Sequence, residues 1–299
     1  MNLAYLVQPA GRALQRRSFI CFLGGSALMA PFGASAQAWQ PLRPIRLIVP
    51  YGPGGSSDII ARAMAVEMSK GLGQAVIVDN KAGGQGVIAM LEGARAAPDG
   101  YTVVLGHVGT LAVNPAMMPK LPYDVQKDFL PVTLLAKVPM TFAVGPGTNA
   151  TTLPQFIAQA KAAPGKLNYG SSGNGSAGHL AFEMLKVTAG IDVTHVPYKG
   201  TGAQITDLLA GNIEAASAGL PGFLPHVKAK KLKILAVGSA NRLHTVPDVP
   251  TVAGSVTNVL PPITPAKPAS PAPAPNTSMN TRGTLWPSDS TASGWLSAA

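Results

Sequence analysis

Short apolar runs alternate with amphipathic stretches along most of this chain. The run Ile45–Val49 is apolar and β-branched, which is typical of a strand that is buried on both faces. Gly52, Gly54 and Gly55 follow it, and the apolar spacing that begins at Ile59 has the period of a helix. This order predicts a strand, a glycine turn and a helix start, where free amides and the helix dipole favour an anion.

Three polar residues stand at the start of this predicted helix. Ser56, Ser57 and Asp58 each offer an oxygen that can cap the first amides of a helix. Asp58 has two interpretations that stay open: it satisfies amides of the first turn, or it meets a hydroxyl or ammonium group of a ligand.

A second unit of the same kind follows between residues 75 and 105. It predicts a strand, a glycine-rich turn over 80–86, a helix and another strand, so the sheet should be parallel and doubly wound. The apolar run over 129–138 contains Pro131 and therefore predicts an edge strand or a crossing strand.

The same alternation restarts at residue 140 and continues to residue 237. A second glycine turn, over 171–176, follows one of its strands. We therefore predict two α/β lobes, residues 42–139 with a return segment at 240–253 and residues 140–239. Their glycine turns should face each other across a cleft.

The first 36 residues have the composition of an export signal. Arg16 and Arg17 precede a largely apolar stretch, and a small-residue cleavage motif ends at Ala36. We therefore predict that residues 1–36 are removed and that the protein is periplasmic. The paired arginines suit the twin-arginine route and the general secretory route alike, and both routes stay open.

Charge and cysteine usage restrict the function. The 299 residues include 23 basic and 13 acidic ones, giving a net charge of +10, yet charged residues are only 12% of the total. The positive balance therefore comes from few acids, which argues against a nucleic-acid partner and suits a small anion. Cys21 lies in the predicted export signal, and the five histidines lack ligand spacing, so we expect no metal and no cofactor.

Two enzyme-like motifs fall in the turn at 171–176. Residues 173–178 match the dinucleotide fingerprint G-x-G-x-x-G, but the next predicted strand does not end in the acid that would hold a ribose. Residues 170–174 approach a hydrolase nucleophile elbow, although Asn174 replaces its second glycine. A secreted α/β enzyme, either a hydrolase or a nucleotide-dependent one, therefore stays open as the alternative class.

Six motifs between residues 44 and 253 resemble one protein family. They are Pro50-Tyr51-Gly52-Pro53-Gly54-Gly55-Ser56-Ser57-Asp58, Asp79-Asn80-Lys81-Ala82-Gly83-Gly84-Gln85-Gly86, Pro98-Asp99-Gly100-Tyr101-Thr102, Pro164-Gly165-Lys166-Leu167-Asn168-Tyr169, His195-Val196-Pro197-Tyr198-Lys199-Gly200 and Pro247-Asp248-Val249-Pro250-Thr251. In this order they are similar to the substrate-binding receptors of tripartite tricarboxylate transporters, the Bug family. The resemblance implies a periplasmic binding protein, type II-like, whose two α/β lobes close on a carboxylate.

The resemblance also implies a ligand site and a set of partners. In the family, backbone amides and ordered water in the glycine turns hold a carboxyl group. The candidate ligand-binding residues are Tyr51, Gly52, Gly55, Ser57, Asp58, Ser171, Ser172, Gly173, Gly175, Ser176, His179, Tyr198 and Lys199. The protein would be a monomer without catalytic residues that hands a small carboxylate to the permease subunits of the transporter.

The C-terminal part departs from the family pattern. Family members return there to complete the first lobe, whereas residues 254–299 are rich in Pro, Ala, Ser and Thr and predict a disordered tail. The completeness of the first lobe is therefore open, and a truncated remnant without function is a further alternative.

Overall fold

The computed structural model describes residues 40–256, which form two lobes with one sheet each. The predicted export signal at 1–36 and the predicted tail from residue 257 onward lie outside the described residues. None of the helices in residues 40–256 has the length and apolar character that a membrane crossing needs.

The first lobe is built on a parallel sheet of three strands. β1 (Ile45–Val49) lies between β2 (Val76–Asn80) and β3 (Thr102–Val104) and pairs with both in parallel. α1 (Ser56–Leu72) follows β1, and α2 (Val87–Ala94) follows β2. The predicted parallel sheet is confirmed for this lobe, and the apolar β1 fills its buried centre.

The helix after β1 begins without a side-chain cap. Gly55 is its N-cap residue, so the side-chain cap predicted at Ser56, Ser57 or Asp58 is wrong. Ser56 instead donates to the carbonyl of Gly219, 2.8 Å away in the second lobe. The hydroxyl is therefore engaged by a long-range contact, which competes with the local one.

The segment between the two sheets is irregular. It contains a π-helical turn at Gly109–Val113 and two short helices, α3 (Asn114–Met117) and α4 (Val125–Asp128). Residues 129–139 form no strand, so the strand predicted there is wrong. Its proline removes a backbone donor and Leu130 is 88% exposed, so within the described residues this run joins no ladder. Of this run, Leu135 packs against the core of the first lobe.

The second lobe is a mixed sheet of five strands with helices between them. Its elements are β4 (Met140–Val144), α5 (Leu153–Ala162), β5 (Asn168–Ser171), α6 (Ala177–Ala189), β6 (Thr194–Pro197), α7 (Thr201–Ala210), β7 (Ala215–Gly219), α8 (Leu220–Lys228), β8 (Lys233–Val237) and α9 (Val252–Val256). The strand order is β6-β5-β7-β4-β8.

Strand direction in this sheet differs from the parallel pattern of the first. β5 runs parallel to β6 and β7, but β4 is antiparallel to β7 and β8. Met140 opens β4 opposite Gly219, the last residue of β7. β4 thus begins at the end of the sheet where β7 and β8 finish, because the chain crosses from the first lobe into the sheet through β4.

Aromatic rings fill the centre of the second lobe. Tyr169 stacks on Phe182 with ring centroids 3.8 Å apart, and Phe142 and Phe156 pack against the same ring. All four are buried. The Tyr169 hydroxyl donates to Glu183 at 2.6 Å, so the polar end of this buried ring is satisfied.

The segment predicted at 240–253 as a return to the first lobe packs on the second lobe instead. Leu243 and Val249 contact the apolar cluster of α8 and β8, and α9 buries Val256 in the core of the second lobe. The cause is a run of apolar side chains that matches the open face of α8 and β8. The first three residues of the predicted tail are therefore helical, and the third of them, Val256, is buried.

Gly178 in α6 gives a test of this packing. A Cβ built on Gly178 would lie 2.1 Å from the carbonyl oxygen of Ser217 in β7. We expect Gly178→Ala to lower the free energy of unfolding by about 2 kcal/mol, since overpacking outweighs the helix propensity of alanine. Denaturant unfolding measures the change.

The matched control is Gly71→Ala in α1, where a built Cβ has nothing within 4 Å. Alanine should leave stability unchanged there or raise it by up to about 1 kcal/mol. Equal effects of the two substitutions would contradict the close packing of α6 on β7.

Candidate functional site

A cavity of about 290 Å³ lies between the two lobes. The first lobe contributes the turns after β1 and β2, and the second lobe contributes the turns after β5 and β6. The lining residues are Pro50, Tyr51, Gly83, Gly84, Gln85, Gly86, Ser172, Gly173, Asn174, Pro197, Tyr198 and Lys199. Ligands of open α/β sheets bind in such crevices at the carboxyl ends of strands.

The turn after β2 has an unusual backbone. Gly83, Gly84, Gln85 and Gly86 all have positive φ, and the φ of Gln85 is 58°. A Cβ built on Gly86 would lie 2.5 Å from Cγ2 of Thr110, so the turn needs glycine there. Within residues 40–256 no hydrogen bond engages the amides of Gly84 and Gln85, and successive free amides of this kind form an anion-binding concavity.

The irregular segment between the two sheets, which contains α3, holds Gln85 in this conformation. The side-chain amide of the buried Asn114 donates to the Gln85 carbonyl at 3.0 Å. The Tyr123 hydroxyl donates to the carbonyl of Thr110 at 2.6 Å and thus holds the residue that lies against Gly86. A non-glycine residue in the left-handed region costs about 1–2 kcal/mol, and such strain is concentrated at functional sites.

The turn after β5 is held by its own side chains. Ser176 caps α6 by accepting from the amide of His179 at 3.3 Å, and Nδ1 of His179 accepts from the amide of Gly175 at 3.2 Å. The fully buried Ser171 accepts from the amide of Gly173 at 3.1 Å. The Gly173 and Gly175 amides are therefore engaged by the protein itself.

Other amides of this turn are free to meet a ligand. No hydrogen bond among the described residues engages the amides of Ser172 and Asn174, and both residues line the cavity. The Ser172 hydroxyl lies 2.8 Å from that of Thr201, which joins this turn to the start of α7. Each lobe thus presents two successive or nearly successive free amides to one cavity.

The turn after β6 supplies the charge. Lys199 is the only charged residue among the twelve that line the cavity, and it has no ion-pair partner within residues 40–256. Tyr198 donates its hydroxyl to Asp207 at 2.7 Å. Burial, and then the Asp207 carboxylate, raise the pKa of Tyr198, so its phenol stays neutral.

Tyr51 lines the opposite wall with its hydroxyl already engaged. The hydroxyl lies 3.2 Å from Nδ1 of His107, and the amide of Gly109 donates to the same nitrogen at 3.3 Å. Burial lowers the pKa of His107 to about 4, so the ring is neutral and Nδ1 acts as the acceptor. Tyr51 therefore shapes the cavity and presents its ring there.

The lobes contact each other on both sides of the cavity. On one side the amide of Gly52 donates to the carbonyl of Lys199 at 3.1 Å, and a Cβ built on Gly202 would lie 2.3 Å from the Pro53 carbonyl oxygen. On the other side, a Cβ built on Gly175 would lie 3.1 Å from Val113. Backbone of one lobe therefore touches backbone of the other beside the cavity.

Comparison with known proteins identifies the family. Residues 60–278 match the family described as tripartite tricarboxylate transporter family receptor. The chain belongs to this family. The match continues past residue 253, where the resemblance described above ends, and the predicted family and the two-lobed α/β fold are confirmed.

Individual receptors of known sequence or structure agree with this assignment. The chain is 38% identical over 233 residues to protein BugT of Bordetella pertussis. The matched region covers 78% of this chain and 71% of BugT. It is similar to R. palustris Rpa4515, solved with adipate, at 34% identity and a TM-score of 0.71, over 74% of each chain. MatC from Rhodopseudomonas palustris, solved with bound malate, gives 32% identity and a TM-score of 0.67 over 72% of this chain and 73% of that one.

Some of the predicted ligand-binding residues of this receptor line the cavity and others surround it. Those in the lining are Tyr51, Ser172, Gly173, Tyr198 and Lys199. Those outside it are Gly52, Gly55, Ser57, Asp58, Ser171, Gly175, Ser176 and His179. The ligand role of both groups stays a prediction. In the second group, all members except Ser57 have contacts that hold the turns or join the lobes.

Asp58 shows this supporting work in the first lobe. It is buried and accepts from the amide of Gly54 at 3.0 Å, and Arg62 pairs with it at 2.9 Å. Burial alone would raise the pKa of Asp58, but Arg62 and the Gly54 amide outweigh it and lower the pKa. The ionised carboxylate therefore braces the glycine turn from within the lobe.

The turn at 83–86 lines the cavity, but none of its residues is among the candidate ligand-binding residues predicted from the sequence. Its signal is present in the sequence, because three glycines and Gln85 follow a predicted parallel strand. Neighbouring parallel strands end at the same edge of a sheet, and that rule places this turn beside Tyr51. The missing information was the φ of Gln85, which composition does not reveal.

Gly202 gives a test of the contact between the lobes of this receptor, where it faces the Pro53 carbonyl. A carbon added 2.3 Å from the Pro53 oxygen must retreat by about 1 Å to reach normal contact, so Gly202→Ala should hold the lobes apart. Alanine favours the helix in which Gly202 lies, so folding should not suffer. Electron paramagnetic distance measurement between spin labels at K70C and K161C should show longer distances in this variant.

The control for this experiment is Gly71→Ala, measured with the same label pair. It adds the same methyl group to a helix without a neighbour within 4 Å, and the distances should match those of the parent protein. An unchanged distance distribution in Gly202→Ala would contradict the close contact between Gly202 and the Pro53 carbonyl.

Proposed function

We propose that this protein is a periplasmic receptor that captures a small carboxylate and delivers it to the permease of a tripartite tricarboxylate transporter. The observation that carries the proposal is one cavity in which free amides from both lobes converge with Lys199 and with no acidic side chain. Such a cavity favours a small anion, because amides and an ammonium group donate hydrogen bonds to a carboxylate.

The size of the cavity supports a small ligand. Its volume of about 290 Å³ falls at the lower end of ligand pockets, which run from about 300 to 1,000 Å³. The relatives solved with adipate and with malate hold acids of this size class. In our proposal one chain holds one ligand and acts as a monomer toward the permease.

The alternative of a hydrolase has one pair of residues in its favour. Ser171 Oγ lies 2.7 Å from Nε2 of His195, the contact that a nucleophile and its base require. Ser171 is fully buried, however, and its hydroxyl also bonds to the backbone of Gly173, so no substrate carbonyl can reach it. We therefore assign no catalytic residue, and the described residues contain no group of side chains suited to a metal ion.

Lys199→Met tests the proposal. Titration calorimetry with adipate, malate and further mono-, di- and tricarboxylates should show binding to the parent protein and none with the neutral amides of the same acids. Because Lys199 is the one cation in the lining, its loss should weaken binding by about tenfold, while the amide contacts remain.

Lys161→Met is the matched control, since Lys161 lies on α5 and does not line the cavity. Its affinity for the same acids should equal that of the parent protein. Tight binding of the neutral amides, or equal losses in both lysine variants, would show that the cavity does not select a carboxylate.

The export signal gives a separate prediction. Residues 1–36 combine a basic start, an apolar stretch and a small-residue motif ending at Ala36, so we propose that the signal is removed there. N-terminal sequencing of protein from the periplasmic fraction should begin at Gln37. Protein that keeps its first residues in that fraction would count against the cleavage site.

A further inference from the structure

A network of side chains lies behind the second-lobe turn at 171–176. Two of its members bond to the turn: Nδ1 of His179 accepts from the Gly175 amide at 3.2 Å, and Ser171 accepts from the Gly173 amide at 3.1 Å. Gly173 and Gly175 have φ of 115° and 71°. Glycine visits such conformations without fixing them, so these side-chain bonds hold the turn in shape.

The bond to His179 requires one protonation state. A ring nitrogen that accepts a hydrogen bond carries no proton, so His179 must be neutral with its proton on Nε2. A protonated ring would place an N–H group against the N–H group of Gly175. The contact that holds the turn is therefore lost when His179 becomes a cation.

A second histidine lies against the first. The ring centroids of His179 and His195 are 4.3 Å apart, and Nε2 of His195 lies 2.7 Å from Ser171 Oγ. Tyr169 also stacks on His195, with ring centroids 4.9 Å apart. Two imidazolium rings at this separation would repel each other, so the pair is arranged for neutral rings.

The charges that face this pair are themselves paired. Glu183 accepts from the Tyr169 hydroxyl at 2.6 Å and from Lys186 at 2.8 Å, so its carboxylate is compensated within the network. Burial lowers the pKa of His179 below its usual value, with Glu183 and Lys186 acting in opposite directions. Burial, and then the neighbouring His179, lower the pKa of His195 to about 4.

We propose that His179 is a positioning residue for ligand capture: its neutral ring holds the turn at 171–176 so that the Ser172 and Asn174 amides meet the carboxylate, and acid releases the turn. His195 acts through Ser171 on the same turn. The inference rests on the proposed function, since it names what fixes the amides that would bind the ligand.

The direction of the pH dependence follows from the lowered pKa. Above the ordinary histidine pKa of 6.5 the ring is neutral and the turn is held. As the pH falls through the lowered pKa of His179, protonation breaks the Gly175 contact and affinity decreases. The dependence should therefore appear on the acid side of 6.5 and not between pH 7 and pH 8.

Two substitutions separate the role of His179 from general stability. His179→Asn places an amide oxygen near the position of Nδ1, so it keeps an acceptor for Gly175 but cannot take up a proton. His179→Leu removes the acceptor. Calorimetry with malate and adipate from pH 5 to pH 8 should show near-parental affinity for His179→Asn at pH 7.5 and a loss of about tenfold for His179→Leu.

The ratio of parent to His179→Asn affinity isolates the titration of His179, because ligand protonation affects both proteins equally. We expect this ratio to fall as the pH decreases from 7.5 to 5, because only the parent protein can take up a proton at residue 179. His244→Asn, at an exposed histidine, should follow the parent at every pH. A constant ratio, or parental affinity in His179→Leu, would overturn the inference.

A measurement without ligand keeps this test separate from the proposed function. Nitrogen NMR of the histidine rings at pH 7 should show the His179 proton on Nε2, and the Gly175 amide signal should shift as His179 titrates. A proton on Nδ1 at pH 7 would overturn the inference even if every acid binds. Absence of acid binding in the parent, with the expected NMR result, would instead refute the carboxylate function alone.

Discussion

Two pieces of backbone meet across the cleft with no side chain between them. The amide of Gly52 in the first lobe donates to the carbonyl of Lys199 in the second, and the Pro53 carbonyl faces Gly202 at the start of α7. The contact therefore involves the backbone of Lys199, the one charged residue in the cavity lining within the described residues. In the proposed site, opening the cleft would break this hydrogen bond and free the backbone of the residue that supplies the charge.

The glycine turns divide their amides between two tasks. Gly86 bonds within its own turn, and Gly173 and Gly175 bond to side chains, while the amides of Gln85 and Ser172 have no partner in the described part of the chain. Engaged amides fix the shape of a turn, and free ones carry a cost of about 1–3 kcal/mol when buried without water or ligand. That cost favours occupation of the cavity by a hydrogen-bond acceptor.

Sequence reasoning predicts features whose causes are local. The strand, turn and helix order around Gly52 and the turn at 171–176 both depend on neighbouring residues, and the structure contains both of them. The same reasoning fails where a distant partner decides. Ser56 has the residue type of a helix cap, but the Gly219 carbonyl, 163 positions away, takes its hydroxyl.

The run at 129–138 and the segment at 240–253 fail for a related reason. Both have apolar spacing that marks them as structured, and spacing does not say which surface will receive them. The first lobe offers Leu130 no burial in the described residues, whereas α8 and β8 offer an apolar face to Leu243 and Val249. Likewise, composition marks the turn at 83–86 as glycine-rich but does not reveal the positive φ of Gln85, a residue that lines the cavity.

Selectivity among acids depends on few side chains in the proposed site, because the hydroxyls of Tyr51 and Tyr198 are committed to His107 and Asp207. Within the described residues, the side-chain amides of Gln85 and Asn174 remain uncommitted in the lining, and each offers both a donor and an acceptor. In the proposed site, backbone amides and Lys199 bind the carboxyl group that all such acids share. Discrimination between the acids then depends on what the far end of the ligand presents to these two side chains.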